Sequence, residues 1–213
     1  MLRTPPEPRK RPKQARSTLL VRSIKQACLQ ILEDEGPEVL TTQRIADLAG
    51  VDIASIYQYY PNKEAIIADV FGDQIEEYTE YARQRIPEID RLSRASLEDG
   101  LARILEMEIE QHLFLYRLSP DFYRCYQASF DIHERVNELS KSMSNPSWEE
   151  WLPQFLSLHR ERLRSQDVAL LAKTVSLTLS GILVSVLKEE PDLLTQEAFR
   201  QELLILLLRY VCE

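Results

Sequence analysis

The sequence predicts an all-α protein, with a small three-helix unit at the N-terminus joined by a long helix to a larger helical body. Three observations carry this. Apolar residues recur at three- and four-residue spacing along most of the 213 residues, without period-two alternation. Only five glycines are present, and β-branched runs are few. Short clusters of Ser, Thr, Asp, Asn and Pro separate the periodic segments where helix caps belong. A hydrophobic fraction of 44% is enough to build a core, which excludes a disordered chain outside the termini.

Residues 1–15 hold four prolines and no periodicity, so they are expected to form a flexible arm. The first helix is expected from about Ser17 to Glu35, with Leu20, Ile24, Ala27, Cys28, Ile31 and Leu32 on one stripe, and Gly36-Pro37 ends it. Thr41 is a good N-cap for a short helix from about Thr42 to Ala49, and Gly50 can take the left-handed conformation that closes it. Asp52 caps the next helix, about Ile53 to Tyr60, and Pro61 forbids its simple continuation. Two short helices around a glycine-containing turn form the helix-turn-helix pattern.

Asn62 can cap a helix from Lys63 to about Ile86, stopped by Pro87, with Ile66, Ile67, Val70, Ile75 and Tyr78 on its stripe. At roughly 36 Å it is long enough to connect two units. This places the division at 1–62 and 63–213. In the body, helices are expected from Ala95 or Ser96 to about Arg117 and from Pro120 to about Ser142. Asn145-Pro146 reads as a loop. A capping box at Ser147–Glu150 opens a helix to about Leu163 that Pro153 can kink. Ser165 is expected to cap a helix reaching Lys188, and a last helix runs from about Gln196 to Val211.

Net charge is −8, but its distribution is uneven. Residues 1–25 carry eight basic side chains against one acid, whereas residues 64–213 carry a net −11. The asymmetry suggests a DNA-facing end and an acidic body. A basic arm fits a solvated tail or a DNA contact, and its place just before a helix-turn-helix favours DNA. Three cysteines (Cys28, Cys125, Cys212) are too few for a disulfide framework and read as reduced thiols of a cytoplasmic protein. His112, His133 and His159 are scattered, so no metal site is expected. No nucleophile–base pair or glycine-rich phosphate loop is present, so neither catalysis nor a cofactor is expected. The first residues are basic and proline-rich, without the apolar core of a signal peptide. Val168–Leu187 has the length of a bilayer span, but Lys173 and five hydroxyl residues favour a buried helix of a soluble protein or a helix–helix interface.

The run Thr42–Val51, then Ser55-Ile56-Tyr57, then Tyr60–Glu64 resembles the N-terminal signature of TetR-type transcriptional regulators. The likeness covers about residues 17–70; beyond it the match is in kind only, an all-helical body ending in two apolar helices. The resemblance implies a homodimeric DNA-binding repressor whose α-helical body binds a small-molecule ligand and dimerises through its last two helices. Ligand binding would move the long connecting helix and re-space the two DNA heads.

On the second helix of the motif, Ala54, Ser55, Gln58 and Tyr59 share one side, while Ile56 and Tyr60 share the opposite side and are expected in the core. Periodicity alone puts Ile53 with the core pair, but the resemblance puts it toward base edges, and it is expected to face DNA. Ile53 and Ala54 offer only apolar contact, such as to a thymine methyl; Ser55 can reach either class of base, and Gln43 can pair with adenine. Thr42, Tyr57, Tyr59 and Lys63 match family positions for phosphate contact, which fixes register without reading sequence. In the body, Met107, Phe114, Tyr123, Tyr126, Trp148, Trp151 and Phe155 are candidates to line an apolar ligand pocket, most of such a cluster being core. The expected function is a ligand-responsive regulator, a repressor bound as a homodimer to a pseudo-palindromic duplex. The alternative is a protein that kept the fold as a sensor or interaction module without sequence-specific DNA binding.

Overall fold

A computed structural model describes residues 4–126, 138 and 148–212, and among them all regular structure is helical. The expected segment 127–142 apart from Glu138, the Asn145-Pro146 loop, the Ser147 cap and the side chain of Trp148 lie outside the described residues. Ten α-helices are described. They are α1 (Ala15–Asp34), α2 (Thr42–Ala49), α3 (Ile53–Tyr59), α4 (Lys63–Gln84), α5 (Ile86–Ala95), α6 (Leu97–Leu118), α7 (Pro120–Tyr126), α8 (Trp148–Ser157), α9 (Val168–Glu189) and α10 (Glu197–Val211). They fall into two compact units. The first, here the head, holds residues 4–75 and 115–126; the second, the body, holds residues 76–114 and 148–212.

In the head, α1, α2 and α3 pack on one another. The buried stripe of α1 is Val21, Ile24, Ala27, Cys28, Ile31 and Leu32, so Val21 takes the place expected of Leu20, which is half-buried. Burial pushes the Cys28 thiol up to about 12, which keeps it protonated and unreactive. Phe71 of α4 meets Phe122 of α7 with ring centroids 4.8 Å apart.

In the body, one apolar core joins Leu97, Leu101 and Ile104 of α6, Leu152, Phe155 and Leu156 of α8, Leu171 and Val175 of α9, and Leu207 and Val211 of α10. Short 3₁₀ turns precede α9 and α10. The turn before α9 is held to the end of the chain by the Arg164 N–H, which donates to the Val211 carbonyl at 3.0 Å, and Arg162 pairs with Glu98. The His159 imidazole Nε2 lies 2.6 Å from the Ser93 carbonyl, which only a donor can satisfy, so this nitrogen carries the proton.

Four boundaries differ from the sequence expectation. Helix α4 ends at Gln84, and Pro87 does not stop it; Pro87 sits in the first turn of α5, an element absent from the helices the sequence led us to expect. A proline there is tolerated because first-turn N–H groups have no intrahelical partner. Helix α8 ends at Ser157, six residues before Leu163, with Pro153 inside it. Asp167, not Ser165, caps α9: its carboxylate accepts from the Leu170 N–H at 3.0 Å, while Ser165 accepts from Asp167 itself. Residues 4–14 are not helical, but Arg9, Lys10 and Arg11 are each tied to the head, as detailed below.

Helix α9 is long and apolar enough to span a bilayer by length and composition alone. Its buried residues, including Leu171, Val175, Leu179 and Leu183, belong to a packed protein face, which is one stripe of the helix.

Gly100 marks the tightest approach in the body. A Cβ there would lie 2.6 Å from the Phe155 ring. Gly100→Ala is therefore expected to destabilise the protein by about 1–3 kcal/mol, because a filled core accepts an added methyl only by shifting a ring or backbone. Urea unfolding measures it, and an unchanged midpoint would contradict the packing described.

Candidate nucleic-acid interface

The helix-turn-helix is set by local capping. The Thr41 hydroxyl accepts from the Arg44 N–H at 3.0 Å and starts α2. Gly50 closes α2 at φ 66°, ψ 34°, and the next N–H, of Val51, returns to the Ala46 carbonyl at 3.0 Å, a closure that needs a left-handed residue. The Asp52 carboxylate accepts from the Ala54 N–H at 2.7 Å and starts α3, and the Asn62 side chain accepts from the Ala65 N–H at 3.0 Å and starts α4. Arg44 and Glu35 form an exposed ion pair at 2.7 Å between α2 and the residue that closes α1.

Helix α3 is seated by Ile56 and Tyr60, both buried, which is the pair its periodicity assigns to the core. Ala54, Tyr57 and Gln58 are exposed, and Ile53, Ser55 and Tyr59 are half-buried. Ile53 thus lies between its two sequence readings. On α2, Gln43 is exposed and Thr42 half-buried. The Gln43 amide donates to Asp47 at 2.8 Å, which orients the side chain and leaves its carbonyl oxygen and one N–H. The Lys63 ammonium donates to the Leu40 carbonyl at 2.9 Å, stitching the start of α4 to the residue before α2; two further donors remain on it.

Behind α3 lies a junction that the sequence pattern does not announce. The Tyr60 hydroxyl donates to Asp69 of α4 at 2.6 Å, and burial with the adjacent carboxylate raises the phenol well above its ordinary range, so it stays a donor. Lys25 of α1 reaches Asp73 at 2.6 Å and Asp69 at 3.9 Å, and Arg11 of the arm stands 3.6 Å from Asp69. These groups line a cleft of about 510 Å³ under the arm. The only sequence signal for it is the four-residue spacing of Asp69 and Asp73 beside the apolar stripe of α4; their partner Lys25 is 48 residues from Asp73.

The candidate ligand residues do not form one group. Tyr123 and Tyr126 belong to the head: Tyr123 is buried edge-on to Tyr116 at 5.8 Å, and Tyr126 packs on Phe122 at 4.8 Å. Tyr126 also lines a cleft of about 300 Å³ with Lys63, Ile67 and Phe122. Met107, Phe114, Trp151 and Phe155 belong to the body. Phe155 is core, stacked on a half-buried Trp151 at 5.4 Å; Met107 is half-buried, its carbonyl accepting from the Tyr78 hydroxyl at 2.7 Å; Phe114 is exposed. One body residue the composition did not single out is Gln111 of α6, which is buried and whose Nε2 has no hydrogen-bond partner among the described residues.

Family comparison agrees with this architecture. Residues 24–70 match the model described as bacterial regulatory proteins, tetR family, and residues 96–210 match the tetracyclin repressor-like C-terminal domain. The chain belongs to the TetR family. It is similar in fold to a TetR-family regulator from Mesorhizobium loti, at 17% identity over 94% of this chain and 100% of that one, TM-score 0.54. A TetR-family regulator from Streptomyces coelicolor is similar at 20% identity over 90% and 96%, TM-score 0.51. RolR, crystallised with resorcinol, is similar at 14% identity over 92% and 89%, TM-score 0.52. No curated protein sequence matches. Within the TetR fold, α3 is the second helix of the helix-turn-helix, and Ala54, Tyr57 and Gln58 form its exposed row.

Tyr60→Phe keeps the buried ring and deletes its hydrogen bond to Asp69. The expected cost is about 1.5–3 kcal/mol in urea unfolding, the range for a hydrogen bond to a charged group. An unchanged stability would mean that the junction does not hold α3.

Proposed function

We propose that the protein is a ligand-responsive transcriptional repressor, cytoplasmic, that binds a pseudo-palindromic duplex as a homodimer and is released by a small molecule. The observation that carries the DNA half of this reading is the rigidly seated α3 with Ala54, Tyr57 and Gln58 exposed on a head whose first 25 residues are strongly basic. In this reading Ile53, Ala54, Ser55 and Gln58 of α3 and Gln43 of α2 face base edges, with apolar contact supplying much of the readout. Thr42, Tyr57, Tyr59 and Lys63 fix the register on phosphates, Lys63 through the donors its bond to Leu40 does not use.

The dimer half rests on the outer faces of α9 and α10. Leu170 and Leu177 are 61% and 63% exposed, and Ile205 and Leu206 are 41% and 47% exposed. Leu170, Leu177 and Gly181 follow helical spacing, and the Cβ position of Gly181 meets nothing within 4 Å, which leaves room for close approach of a second helix. A four-helix bundle from two copies covers these side chains and accounts for the apolar character of α9 without a membrane.

The effector half rests on Gln111. A buried amide donor without a partner costs about 1–3 kcal/mol, and an acceptor on a bound molecule offsets it. Met107, half-buried and four residues before Gln111 on the same helix, suits the apolar part of such a molecule. RolR's resorcinol illustrates the kind of small ligand this architecture accommodates in another protein; at 14% identity it does not assign one here.

Selection from a randomised duplex pool, with the oligomeric state measured in parallel, tests the reading. A dimer that enriches a pseudo-palindrome is expected, with half-sites about 34–36 Å apart or a multiple of that. A protein that enriches nothing at low salt would instead be a sensor on the same fold, as the sparse polar surface of Ile53 and Ala54 allows. Leu177→Glu is expected to give a helical monomer that loses operator binding; a dimer that persists would move the interface elsewhere.

A further inference from the structure

We propose that Arg9 and Lys10 form a second DNA-contact site, reaching backbone phosphates just outside the base pairs faced by α3, with Arg11 as the residue that positions them. The inference rests on the reading of α3 as the DNA-facing helix. Three consecutive arm residues are tied to the head, each by a different group. The Arg9 N–H donates to the Tyr59 carbonyl at 2.7 Å, one of the carbonyls left without an intrahelical partner at the end of α3. The Lys10 ammonium stands 4.5 Å from the centre of the Tyr59 ring. The Arg11 guanidinium is 3.6 Å from Asp69. The arm is therefore fastened to the last turn of the helix that faces DNA.

The way the charges are used separates holding from contact. Arg11 is partnered by Asp69, and the arm's backbone by Tyr59. The Arg9 guanidinium is exposed and makes no ion pair or hydrogen bond among the described residues. Lys10 lies against the ring of a residue assigned to phosphate contact, so an anion at Tyr59 is within its reach. Cations near the C-terminal end of α3 also suit the helix dipole, which accounts for Lys10 but not for an Arg9 side chain left unpartnered. Pro5, Pro6, Pro8 and Pro12 keep the segment extended, so less chain entropy is lost when it lies along a duplex. A duplex backbone, with its dense and regular phosphates, is the partner that two adjacent cations on an extended strap match.

The test measures binding of the full-length protein to a long random-sequence duplex as a function of salt. Arg9→Ala/Lys10→Ala is expected to weaken binding about tenfold or more at low salt and to reduce the slope of log affinity against log salt by about 1.8 per protomer. Arg91→Ala/Arg94→Ala, the same charge change on α5, is expected to leave both nearly unaltered. Arg11→Ala is expected to weaken binding less than the double variant, and Arg9→Ala/Lys10→Ala to add less in that background than alone. Circular dichroism and melting temperature establish that each variant is folded. A slope unchanged in Arg9→Ala/Lys10→Ala, or an equal loss in the α5 pair, would overturn the proposal while wild-type binding stands. A wild-type protein that binds no duplex would instead overturn the functional reading beneath it.

Discussion

The seating of α3 depends on one residue at its end. Tyr60 fills the head's core with its ring and sends its hydroxyl to Asp69, so a single side chain fixes both the depth of α3 and its attachment to α4. A seven-residue helix has no independent stability in water. Its direction is set by what it packs on, and Ile56 and Tyr60 are its two buried anchors. The charged groups around Asp69 matter for the same reason. Lys25 brings in α1 and Arg11 brings in the arm, so three segments distant in sequence converge on one carboxylate of α4.

The charge split follows a physical division of labour. The basic arm and α1 raise the local potential around α3, which favours encounter with a polyanion even though the chain as a whole carries −8. The net charge of residues 64–213 is −11, so the basic charge that suits the proposed DNA contact is confined to the head. The exposed leucines of α9 and α10 belong to the body, and the proposed dimer would cover them.

How much could be read in advance depended on range. The capping signals of α2 and α3 act over two to four residues, and Thr41, Gly50, Asp52 and Asn62 each do in the structure what their residue types suggest. The core pair Ile56 and Tyr60 followed from spacing alone. Local signals failed where one residue type has two uses. Pro87 can stop a helix or begin one, and Ser165 and Asp167 can both cap; the longer reach of packing decides between them. The Asp69 junction was hard to read because two of its partners come from the arm and α1, and no periodicity encodes the neighbouring Lys25–Asp73 pair, 48 residues apart. The aromatic candidates were grouped by composition, and Tyr123 and Tyr126 fall in a different unit from Trp151 and Phe155 because composition carries no position.

The central claim is that α3 and the arm strapped to its end form one DNA-facing surface. Hydrogen exchange of the full-length protein, with and without an excess of duplex, tests it most directly. The account requires slowed exchange on duplex addition in Ile53–Tyr59 and in the Arg9–Arg11 segment together, with α5 unaffected. Protection confined to the body, or absent from α3 while binding is demonstrably saturated, would contradict it.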